Sequence, residues 1–274
     1  MIKINKGELT LEKEIIIIGL YIFLIISALV FLFPLIYMIF KSFFSNNSFS
    51  FHNYIDIFKM KDLPFIKWIF NTVITGFLIV FSNLLFVSVL AYYFVFIFKK
   101  VGRIIAFFIL IISFFPIQIF VIPHFLIVNK FFPSAFLKLI SPYLVTPFSF
   151  YIFYRYFKTI DSAIIDFARS DGCNNFQIFY YILFPLSRPI FAVVSIILFI
   201  NWWNYLLWPL IILQKQDFYT INIGIVKMKE FFLFSSNTIY AVATISVIPI
   251  LCLFFIFKRF FIESLTLNQL RNFY

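Results

Sequence analysis

Charge is scarce in this chain of 274 residues: only 12% of them are Asp, Glu, Lys or Arg, about half the share usual in a soluble domain. Histidine and cysteine are scarcer. His52, His124, Cys173 and Cys252 are all there is, and their separations allow neither a CxxC pair nor a Cys/His zinc site. Ordinary reduced thiols and no metal are expected. Glycine is sparse too. A loop that cradles nucleotide phosphates needs two glycines five positions apart, followed by Lys. Gly7, Gly19, Gly76, Gly102, Gly172 and Gly224 include no such pair. The chain therefore lacks the means to hydrolyse ATP in that way, and any such ATPase working with it is a separate polypeptide.

What is present is apolar. Hydrophobic residues make up 64% of the chain, and Phe alone supplies 46. A soluble fold of this size has too much surface to hide so much apolar area. Disorder, collagen-like fibres and ordinary cytosolic enzymes are excluded, which leaves an integral membrane protein. The net charge of +11 raises nucleic acid as a partner, but no basic run exceeds two residues. Basic loops flanking membrane spans account for the surplus.

A helix needs ~20 apolar residues to cross the hydrocarbon layer. Six charge-free windows qualify: Ile15 to Phe40, Trp68 to Phe98, Ile104 to Asn129, Leu139 to Tyr154, Pro189 to Gln214 and Phe231 to Phe257. The fourth is short and can borrow Tyr156 and Phe157 past Arg155. All are apolar on every face, unlike the alternating strands of a barrel, so the expected fold is all-α with six transmembrane helices. No small-residue cleavage site follows the first run, so a retained helix is expected there. Six spans put both termini on one side. All six arginines fall on that side, at 103, 155, 169, 188, 259 and 271, which makes it cytoplasmic by the positive-inside rule. The segments 41–67, 130–138 and 215–230 then read as external connectors.

The cytoplasmic loop from about Lys158 to Arg188 is the long one, and long loops in economical chains carry function. Asp161 or Ser162 can cap a first helix, with Ile164, Ile165, Phe167 and Ala168 on an apolar face and Asp166, Arg169 and Ser170 toward water. Gly172 suits a left-handed stop. Asn174 or Asn175 can cap a second helix, with Phe176, Phe179, Ile182 and Leu183 on one stripe, Pro185 ending it and Pro189 opening the next span. Two readings remain open from the residues alone: a helical hairpin resting on lipid headgroups, or a docking surface for a cytosolic partner.

The loop resembles the signature of binding-protein-dependent ABC importer permeases: Glu-Ala-Ala, three residues, Gly, nine residues, Ile, one residue, Leu and Pro. Here Asp166-Phe167-Ala168 stands at Glu-Ala-Ala, Gly172 at the Gly and Ile182 at the Ile, with Pro185 closing the pattern. Asp171, Phe179, Leu186 and Pro189 also match. Outside the loop, Trp203-Asn204 with Trp208-Pro209-Leu210 is similar to the fifth-span motif of the carbohydrate branch. Asn71, Ala91-Tyr92, Pro116, Pro123, Pro249 and Arg259-Phe260-Phe261 add to the likeness, which covers roughly 30–265. It is strongest to the six-span permease of the maltose and glycerol-phosphate type. The chain departs at Asp166 for Glu, at Phe167 for Ala, and at Ser264 and Asn268, where the family's tail often has Gly.

The resemblance implies a type I importer permease fold in one transmembrane domain over 1–274, its core about 67–262. It implies a helical coupling loop, about 158–188, between spans four and five. It also implies half of a translocation path for a sugar or similar small polar solute. Partners would be a second permease subunit in a heterodimer, a cytosolic ATPase dimer, an extracytoplasmic solute-binding protein and the lipid of a bacterial inner membrane. ATP would be used by the partner, with no cofactor on this chain. The coupling residues would be Asp166, Phe167, Ala168, Asp171, Gly172, Phe179, Ile182, Pro185, Leu186 and Pro189. Trp203, Asn204 and Tyr205 are candidates for the solute path, because aromatic faces and amides suit sugar rings. The alternative is an ion-coupled secondary transporter or a channel. It is disfavoured by six windows without a carboxylate, although broken helices can bind sodium through carbonyls. His124 stands without a nucleophile or further ligands, so an enzyme is not expected.

Overall fold

Apolar stretches in lipid must satisfy their own backbone amides, and here they do so as helices. The computed structural model describes residues 6–45, 48–59, 64–230 and 236–271. It divides into two compact units: Met1–Lys61 with Met228–Ile245, and Asp62–Lys227 with Ser246–Tyr274.

In the first unit, α1 (Lys6–Ser42) carries the apolar stretch Ile16–Ser42 of 27 residues. The following segment is structured rather than a plain connector. Strands β1 (Phe44–Ser45) and β2 (Ser48–Phe49) pair antiparallel, and α2 (His52–Lys59) follows. Asn53 is the reason these pieces hold together. It is buried, and its amide donates to the carbonyls of Ser42 at 2.9 Å and Phe44 at 2.8 Å. One of these acceptors, the Ser42 carbonyl, lies at the end of α1, where helical partners run out.

The second unit begins with α3 (Phe65–Tyr92), which continues as a π-helical turn, Tyr93–Ile97. Helix α4 (Lys99–Ser113) starts at once. The reversal is tight enough that a Cβ at Gly102 would collide with the Phe94 carbonyl oxygen, so only glycine fits. Lys99 to Arg103, which fall between the second and third apolar windows, are the first turns of α4. After it come α5 (Val121–Phe131), α6 (Ala135–Ile140) and α7 (Pro147–Phe157). Then follow α8 (Ser162–Ser170), α9 (Asn175–Gln177), a π-helical stretch Ile178–Leu183 and α10 (Phe184–Leu186). The chain continues as α11 (Arg188–Asn204), α12 (Leu207–Ile212), α13 (Ile221–Glu230) and α14 (Ser236–Arg271); of this stretch, Met228–Ile245 belongs to the first unit.

Two of the expected spans are broken by sharp bends, and a third bend falls where the loop helix was expected to give way to the fifth span. Lys99–Ser113 and Ile117–Phe131 meet at 98°, Ala135–Tyr143 and Pro147–Phe157 at 43°, and Asn175–Leu186 and Arg188–Asn204 at 76°. Proline explains where. Pro116, Pro147 and Pro189 lie at the breaks, and none offers an amide to the preceding turn. The fourth window runs through Arg155 to Phe157, as its shortness required. The last window maps onto the apolar helix Asn237–Leu253, with 231–235 outside the described residues. Segment 215–230 also proves to be more than a connector. The Trp68 indole donates to the Gln216 carbonyl at 2.9 Å and the Asn71 amide to that of Asp217 at 2.8 Å, pinning it to the start of α3.

Candidate functional site

Helix α8 opens as a capped helix should: the Asp161 carboxylate accepts from the Ala163 amide at 2.9 Å. It closes on Gly172, whose φ of +85° admits few residues but glycine. The Gly172 amide reaches the Arg169 carbonyl, and that of Cys173 reaches Ala168, both at 3.0 Å. Asn174 then forms a reciprocal capping box with Gln177 at 2.9 and 2.8 Å. Of each pair of capping candidates, Asp161 and Asn174 are the ones used.

The two faces of this loop are sharply different. Ile165 and Ala168 of α8, with Ile178 and Leu183 of the π-helical stretch, join one core with Tyr92 of α3, Phe157 of α7 and Val194 of α11. The loop is therefore locked to the membrane helices. The opposite face carries Asp166, paired with Arg169 at 3.6 Å, and Phe167, which is 71% exposed. Asp171 and Gly172 are exposed beside them. The sequence placed Ile164 and Phe167 on the apolar face, but both point outward. The expected stripe is also redrawn: Ile178 and Leu183 are buried, Phe179 and Ile182 half-buried, and Phe176 exposed. Within the π-helical stretch the wider winding puts Ile178 and Leu183, five positions apart, on one buried face. Pro185 lies inside α10 rather than ending it, with Leu186 exposed beside it. The chain bends at Ser187, and Pro189 enters α11 half-buried. Phe176, Tyr180 and Phe184 stack nearly parallel, with ring centroids 6.0 and 6.4 Å apart.

The candidate path residues separate. Trp203 is 3% exposed and stacks on Phe199, and its carbonyl accepts from the Asn222 amide at 2.6 Å. Asn204 is exposed and bonds back to the Ile200 carbonyl of its own helix at 2.9 Å. Tyr205 lines a cavity of about 420 Å³, together with Tyr143, His124 and Trp208.

The description "binding-protein-dependent transport system inner membrane component" matches residues 85–266. The chain belongs to that family. The permease is 30% identical over 224 residues to the arabinooligosaccharides transport system permease protein AraQ of Bacillus subtilis, covering 81% of this chain and 79% of that one. It is 32% identical over 232 residues to AraQ of Halalkalibacterium halodurans, covering 84% and 82%. The lactose transport system permease protein LacG of Rhizobium radiobacter matches at 26% over 78% of each chain. The fold of this permease is that of a chain in the crystal structure of a bacterial ABC transporter involved in the import of the acidic polysaccharide alginate. The TM-score is 0.81 at 20% identity, over 91% of this chain and 98% of the other. The expected all-α membrane permease stands, and it is a transport component rather than an enzyme.

Sequence reasoning missed two residues of the permease that organise its site. Asn83, wholly buried in α3, donates to the Tyr143 carbonyl at 2.6 Å. An amide in the middle of an apolar window was the available signal. His124 was considered in the sequence as a catalytic or metal residue and set aside. It is half-buried at the cavity, edge-on to Trp208 with centroids 5.2 Å apart.

Proposed function

We propose that the permease forms half of the path for a sugar or similar small polar solute, with arabino-oligosaccharides the first candidates. It works with a second, different permease subunit, a cytosolic ATPase dimer and an extracytoplasmic binding protein. Residues 158–188 are the coupling loop, both termini are cytoplasmic, and the membrane is a bacterial inner membrane. ATP is used by the ATPase, and the chain binds no cofactor. The observation that carries this reading is the two-faced loop. Ile165 and Ala168 fasten it to the membrane core while Asp166, Phe167, Asp171 and Gly172 are left open to a partner. A lever must be rigid on one side and accessible on the other, so that a rigid-body closure of the partner moves the helices. The two arabino-oligosaccharide permeases, matched over four fifths of the chain, support the solute class.

The test is uptake of radiolabelled arabinotriose by the complete complex in proteoliposomes. Uptake should require ATP and survive dissipation of proton and sodium gradients. Uptake that continues without ATP and stops with an ion gradient would establish the secondary-transporter alternative instead.

A further inference from the structure

Three interruptions of helix meet at one place. The gap between α4 and α5 contributes Phe115, Ile117 and Phe120 to the cavity wall, and the gap before α7 contributes Pro142, Tyr143 and Thr146. The gap between α11 and α12 contributes Tyr205, with Trp208 just beyond. Non-helical backbone at membrane depth is tolerated where it is buried in protein or lines a wet cavity. Discontinuous helices are also a recurring way of building solute sites in transporters. Three such breaks around a single space are hard to account for by packing alone.

We infer that this cavity is a subsite that stacks and hydrogen-bonds one ring of an uncharged sugar, an assignment that rests on the permease reading above. Its volume of about 420 Å³ falls within the ~300–1,000 Å³ typical of small-molecule pockets. The wall is aromatic, offering faces for the C–H surface of a sugar ring. The polar side chains on the wall are Ser113, His124, Tyr143, Thr146 and Tyr205, and the Tyr143 and Tyr205 rings lie edge to face at 6.2 Å. Phenol and imidazole both donate and accept, as a hydroxyl-rich solute requires. Among the described residues no Asp, Glu, Lys or Arg lines the cavity. An anionic solute would be stripped of water there without a counter-charge, so the subsite selects neutral sugars.

The experiment uses the complete reconstituted complex with arabinotriose as the probe. It measures uptake together with ATP hydrolysis stimulated by the loaded binding protein. Tyr205→Phe removes one hydroxyl and leaves the ring, and His124→Ala removes the imidazole. Each should lower kcat/KM for uptake on the order of fivefold, the worth of one hydrogen bond, with stimulated ATP hydrolysis retained. Unchanged uptake in both variants overturns the subsite and leaves the permease reading standing. A parallel fall in uptake and hydrolysis also overturns it, because the residues would then act through packing. Wild-type uptake that is independent of ATP overturns the permease reading, and the subsite with it.

Discussion

The Tyr92 hydroxyl, at the end of α3, donates to the Asn175 side-chain oxygen at 2.9 Å. Arg169 of α8 faces the same hydroxyl, and the Tyr92 ring packs on Phe179 with centroids 6.0 Å apart. One buried side chain thus touches both arms of the loop at the point where a membrane helix ends. If the loop is the lever, Tyr92 is a strut between lever and helix. Tyr92→Phe keeps the ring and removes the bond, costing about 1 kcal/mol of stability. The informative change is in coupling: more ATP should be hydrolysed per sugar carried, with ATPase binding intact. An unchanged ratio of ATP to sugar would reduce Tyr92 to a packing residue.

Gly172 gives a second prediction. A Cβ there would meet nothing within 4 Å, so the demand for glycine comes from its φ of +85° alone. An L-residue in that conformation costs roughly 1–2 kcal/mol, and Asn tolerates it better than Ala. Gly172→Ala should reduce both co-purification of the ATPase and uptake, and Gly172→Asn should recover part of each. Equal losses with Ala and Asn would point to the side chain rather than the backbone.

Much of this loop was legible in the sequence, because its caps and its glycine stop are local features. Asp161, Gly172 and Asn174 each act on backbone within a few residues of themselves. The orientation of Phe167 and the burial of Ile178 were not legible. Both depend on which face of the loop packs against the membrane helices, a tertiary contact that no local residue pattern announces. The broken spans were half legible: Pro116, Pro147 and Pro189 mark positions, but a proline in an apolar run gives no bend angle. The cavity was invisible, since its walls come from segments as far apart as Ile112 and Trp208.

Phe167 separates docking from folding. At 71% exposed it contributes little to the core, so Phe167→Ala should leave thermal stability in detergent within about 0.5 kcal/mol. Large exposed aromatic side chains are common anchors at interfaces. The expectation is therefore weaker retention of the ATPase on the purified permease pair, with uptake reduced in proportion. Full retention of the ATPase would remove Phe167 from the coupling surface.

Asn83 and Pro147 are linked by arithmetic along the helix. In an unbroken helix the Tyr143 carbonyl would accept from the amide four residues on, but that residue is Pro147, which has none. The Asn83 amide takes the vacant acceptor at 2.6 Å from a neighbouring helix. Asn83→Leu should therefore cost about 1–3 kcal/mol, the penalty for a buried acceptor left unpaired, and should loosen the cavity that Tyr143 lines. Pro147→Ala restores an amide that can serve the same carbonyl. The double variant should thus be more stable than the sum of the two single losses predicts. A double-mutant cycle by thermal unfolding of the reconstituted complex measures that coupling. Strict additivity would mean that Asn83 stabilises α3 by some route other than the gap before α7.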